Sequence, residues 1–186
     1  MYALVTAAAK AYERYLTVGE YMDATKIAKE FGLGEEKIAK AYERCLTNGY
    51  YESAAQVANE FGLGEEKIDT AATKAYNEHF TSGYYKDAMK IAKEFGLGEE
   101  KIITAAAKAY ERCLMGDYES AARIAKEFGL GEEKIAAASA NAYKTYFVKG
   151  YYEDAAQIAR EFGLGEEIII KTEELIKLKN LIKEGL

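Results

Sequence analysis

The residues able to do chemistry are few, and their spacing keeps them apart. His79 is the only histidine, and Cys45 and Cys113 are the only cysteines. A metal ion needs several converging ligands, and a nucleophile needs a base within hydrogen-bond reach. His79 supplies neither arrangement by itself. It shares a column of a repeated pattern with Tyr15, Cys45, Cys113 and Tyr146, so it reads as a packing residue. Cys45 and Cys113 lie two units of that pattern apart, and helices stacked at about 8–10 Å would hold them roughly 20 Å apart, too far for a disulfide. Both read as small buried apolar residues. The pairs Glu35-Glu36, Glu65-Glu66, Glu99-Glu100, Glu132-Glu133 and Glu166-Glu167 are carboxylates that a hard cation could use, but sequence neighbours point around a helix rather than converging. No glycine loop followed by Lys-Ser/Thr, no zinc-type cysteine spacing and no His-Glu-x-x-His occurs. The chain is expected to be noncatalytic, with no metal and no cofactor.

One stretch carries a sharper alternative. Ala28, Gly32 and Ile38 fall at the spacing of a DNA-binding helix-turn-helix. Its recognition helix would open with Glu35-Glu36, which phosphates repel, so nucleic acid is not an expected partner.

What positions all of these residues is a six-residue stretch, Phe-Gly-Leu-Gly-Glu-Glu, which begins at Phe31 and recurs intact at Phe61, Phe95, Phe128 and Phe162. Phe31 closes an apolar stripe. Gly32 can take the left-handed conformation that ends a helix, with Leu33 placed for the apolar contact that follows. Gly34 then stands at the cap of the next helix, a position glycine tolerates, and Glu35 and Glu36 fall in its first turn, where carboxylates favour the helix dipole. The stretch reads as a helix stop followed by a helix start.

The Phe-to-Phe spacings are 30, 34, 33 and 34 residues, the size of a two-helix repeat. The four residues missing from the second unit fall after Lys37-Ile38, which removes about one turn of 3.6 residues and leaves the buried face nearly in phase. The single deletion near Gly116 falls at a turn. The first helix of a unit shows its buried side through Ala8, Ala11, Tyr12, Tyr15 and Leu16, the second through Tyr21, Ala24, Ile27, Ala28 and Phe31. Both are one helical face. Tyr50, Tyr84 and Tyr151 form a separate column at the turn edge that reads as edge packing, with partner contact as the alternative.

The turn sequence Gly19-Glu20-Tyr21-Met22-Asp23-Ala24, with its copies at Gly49 to Ala54 and Gly116 to Ala121, resembles the tetratricopeptide family, in which Gly-x-Tyr-x-x-Ala is a familiar element. The likeness covers about 160 residues. Tyr12 departs from it, standing where a small residue is usual, and glycine replaces the closing proline. The expected fold is an all-α, right-handed α/α solenoid of five helix-turn-helix repeats of about 34 residues, plus a C-terminal capping helix. The whole forms a single repeat domain over 1–186, with repeats at about 1–33, 34–63, 64–97, 98–130 and 131–164 and the terminal helix at 165–186.

Composition narrows the partners. Apolar residues make up 49% and charged residues 30%, with no proline and no tryptophan, as in a nearly all-helical chain. A net charge of −6 disfavours nucleic acid and anionic membrane. No apolar run approaches the roughly 20 residues that span a bilayer, and Met1-Tyr2-Ala3-Leu4 lacks the basic region of a secretory signal, so a cytoplasmic location is expected.

The family resemblance implies a scaffold that binds a protein or peptide in an inner groove. The residues that would line it are Glu13, Glu43, Asn77, Glu111 and Lys144, with Ala9, Ala39, Thr73, Ala107 and Ala140 opening space beside them. A rival expectation is a self-assembling structural or engineered repeat with no natural ligand. Scarce amides and many Lys/Glu pairs suit designed and thermophilic chains alike. The apolar Leu175, Leu178, Leu181 and Ile182 of the terminal helix would then mediate homo-oligomer formation.

Overall fold

A computed structural model describes residues 2–183, which are helical apart from short links, with no strand among them. The helices are α1 (Tyr2–Val18), α2 (Tyr21–Glu30), α3 (Glu35–Thr47), α4 (Tyr51–Glu60), α5 (Glu65–Thr81), α6 (Tyr85–Glu94), α7 (Glu99–Cys113), α8 (Tyr118–Glu127), α9 (Glu132–Val148), α10 (Tyr152–Phe162) and α11 (Glu166–Lys183). The last three residues of the expected terminal helix, 184–186, lie outside the described residues. No helix among those described is long and apolar enough to cross a membrane. The chain divides into two compact units, Met1–Ile102 and Ile103–Leu186, the division falling inside α7.

The six-residue links terminate and restart helices as their chemistry predicts, with one refinement. The Leu33 amide donates to the Ala28 carbonyl at 2.8 Å and the Gly32 amide to the Lys29 carbonyl at 3.3 Å, the two bonds of a Schellman termination. Gly32 has φ 61°, the left-handed conformation that motif requires. Gly34 does more than tolerate its place. Its φ of 96° and ψ of 151° lie in a region open only to glycine, and Gly64 repeats it at φ 99°, ψ 151°. Each link therefore needs two glycines for two different backbone reasons.

Within the first unit, α1 packs on α2, α2 on α3, α3 on α4, α4 on α5 and α5 on α6. Within the second, α8 packs on α9, α9 on α10 and α10 on α11. The contacts are dominated by alanine: Ala41, Ala54, Ala58, Ala71, Ala75, Ala88 and Ala92 in the first unit, and Ala121, Ala125, Ala138, Ala155 and Ala159 in the second, are fully enclosed. Small side chains at these points let helix axes approach closely, while Tyr12, Tyr42, Ile91 and Ile158 fill the remaining space. Ile27 and Phe31 are half-buried, whereas Val57 and Ile91 in the column of Ile27 are buried.

The irregular units fold as their lengths dictate. α3 has 13 residues against 17 in α5, one turn fewer, and still buries Ile38, Ala41, Tyr42 and Cys45 on one face. The deletion near Gly116 changes the turn chemistry. Gly19, Gly49, Gly83 and Gly150 have positive φ there, and Gly116 does not. In its place Asp117 caps α8, its Oδ1 accepting from the Ser120 amide at 3.1 Å.

Candidate functional site

The tyrosine column of the first helices is the best-defined polar feature of the fold. Tyr12 Oη donates to the Lys37 carbonyl at 2.7 Å, Tyr42 to Lys67 at 3.0 Å, Tyr76 to Lys101 at 3.1 Å and Tyr110 to Lys134 at 3.3 Å. Each acceptor is the lysine that follows a Glu-Glu pair, in the first turn of the next first helix. The same lysine lays its ammonium over the tyrosine ring, at 5.0, 5.3, 5.8 and 5.5 Å from the centroid in the same order. One residue pair thus fastens successive hairpins by a hydrogen bond and a cation–π contact.

After the fifth link, isoleucine replaces that lysine at Ile168, and the bond is rerouted. Thr172 Oγ1 donates to the Ile168 carbonyl at 2.7 Å and accepts from Tyr143 Oη at 2.9 Å. Enclosure in this contact pushes the Tyr12 phenol up to about 12 and raises Tyr42, Tyr76 and Tyr110, because burial penalises the phenolate.

The expected groove residues lie on the exposed side of the first helices, with differing engagement. Glu13, Glu43, Asn77, Glu111 and Lys144 are exposed. Glu13 is tied: Lys37 Nζ donates to its carboxylate at 2.7 Å and Lys40 Nζ at 3.3 Å, and these bonds lower its pKa. Glu111 is bonded by Lys108 at 2.8 Å within its own helix, which also lowers its pKa. Glu43 has no ion-pair partner among the described residues. Ala9, Ala39, Thr73 and Ala107 are half-buried and Ala140 is exposed, with Thr73 Oγ1 accepting from Lys101 Nζ at 3.3 Å.

Two clefts open between consecutive links. In the first unit a cleft of about 640 Å³ is lined by Ala28, Ile38, Ala39, Phe61 and Leu63, together with Lys29, Lys67, Glu35 and Glu36. In the second unit a cleft of about 580 Å³ is lined by Ile135, Ala136, Ala140, Phe162 and Leu164, with Glu132. Ala39 and Ala140 are thus brought to cleft walls, and Glu43 and Lys144 stand one helical turn further along the same faces. The lysine fasteners were missed in the sequence, although the 24- or 25-residue offset between each tyrosine and its lysine recurs in four copies.

The remaining candidates carry little chemistry. His79 Nε2 lies 3.9 Å from Glu52 and its ring meets Tyr84 edge-on at 6.3 Å. Cys45 is enclosed and burial pushes its thiol up to about 12, away from thiolate reactivity. Cys113 is half-buried, more open than the sequence implied, and neither cysteine is disulfide-bonded. Tyr50, Tyr84 and Tyr151 are exposed at the turn edge, as their column predicts. Among the described residues no group of three His, Cys, Asp or Glu side chains could hold a metal ion. Neither a protein-family model, nor a curated protein, nor a solved structure matches the chain.

Proposed function

We propose that the chain is a noncatalytic scaffold, an α-solenoid of tetratricopeptide-like type, that binds a peptide or protein segment bearing basic residues along the exposed side of its first helices. The observation that carries this reading is the coincidence of the clefts with the small residues of the expected groove, Ala39 in one cleft and Ala140 in the other. Apolar walls with a few charged groups suit a peptide side chain; Lys29 and Lys67 balance Glu35 and Glu36 in the first cleft, and it is Glu43, with no ion-pair partner among the described residues, that favours a cationic neighbour. Glu13 contributes less than its exposure implies, because two lysines already neutralise it.

The test is a screen of fluorescent basic peptides by polarisation, followed by variants. Ala39→Trp, which fills the first cleft, and Glu43→Lys, which reverses the free charge, should each weaken a bound peptide about tenfold or more. A binder indifferent to Ala39→Trp, Glu43→Lys and Ala140→Trp would remove the groove assignment, and a screen with no binder would count against the scaffold itself.

A further inference from the structure

We draw no further inference here: the strongest candidate, the apolar stripe of Ile170, Leu178, Leu181 and Ile182 exposed on α11 beside the half-buried Leu175, carries none because nothing in the structure shows what covers it.

Discussion

Substituting the two glycines of one link separates two kinds of backbone demand. Gly62 and Gly64 stand between α4 and α5 with φ 66° and φ 99°, and a Cβ built on either would meet nothing within 4 Å. Any destabilisation must therefore come from the backbone and not from a clash. At Gly62 alanine would occupy the left-handed region at a cost of about 1–2 kcal/mol. Stiffening of the unfolded chain offsets about 0.4–1 kcal/mol of that, leaving a net loss of about 0.5–1 kcal/mol. At Gly64, with ψ 151°, the conformation is essentially closed to residues with a Cβ and costs about 1–3 kcal/mol; the same offset leaves about 1–2 kcal/mol. Asparagine sharpens the contrast, because it visits the left-handed region readily but has no special access to the other. Gly62→Asn should lose less than Gly62→Ala, and Gly64→Asn should lose as much as Gly64→Ala. Urea unfolding followed by far-ultraviolet circular dichroism reads all four. Equal and mild losses for asparagine at both positions would refute the account of Gly64 as a backbone-enforced residue.

The fasteners and their titration give two more tests. Tyr42→Phe removes only the bond to the Lys67 carbonyl, which keeps its helical partner, and should cost about 0.5–1.5 kcal/mol. Tyr42→Ala also empties a buried ring site and should cost about 3–5 kcal/mol; similar losses in urea unfolding would mean that the ring contributes little. The phenols of Tyr12 and Tyr146 and the thiol of Cys45 are all pushed up to about 12, Tyr146 chiefly by its 2.6 Å bond to Glu119 and the others by burial. With folded values above unfolded ones, the folded chain holds more protons in the alkaline range, so stability is complete below the ordinary values and falls as pH rises toward about 12. The urea midpoint should decline above pH about 9, less steeply in Tyr146→Phe. A midpoint flat to pH about 11 would contradict the shifts.

Much of this architecture was readable because local chemistry sets it. The glycine pair and the glutamate pair end each second helix and start the next first helix without reference to any other part of the chain, so α2 and α4 end and α3 and α5 begin where the pattern places them. The shortened α3 stayed in phase because its four missing residues approximate one turn of 3.6. What could not be read depended on two elements meeting. The Lys67 carbonyl is an acceptor for Tyr42 only because the fold brings the first turn of α5 to α3, and nothing in either segment alone requires it. The openness of Cys113 and the capping role of Asp117 likewise follow from a turn rebuilt around a single deletion. The groove residues were identifiable as a column, but not their engagement. Glu13 and Glu43 look equivalent in sequence, and only the positions of Lys37 and Lys40 make one tied and the other free.

The fasteners also bear on how the chain could vary its surface while keeping its fold. Each link is a seven-residue device: phenylalanine, glycine and leucine stop one helix, glycine and two glutamates start the next, and the following lysine receives the tyrosine of the preceding hairpin. The glycines of that device are held by backbone geometry and its lysine meets the preceding tyrosine, while its two glutamates stay exposed. The columns of Ala39 and Glu43 border that device and in places engage its lysine, as Glu13 does Lys37 and Thr73 does Lys101, so substitutions there act on the surface and on the lysine rather than on the Tyr42–Lys67 hydrogen bond itself. The contrast lies at Ile168, where the lysine is lost and Thr172 takes over the bond. That exchange removes a cation from α11 and places Ile168, Ile169 and Ile170 in succession. The stacking bond survives while the helix becomes apolar on more than one side, a change that serves contact with a further helix better than contact with water.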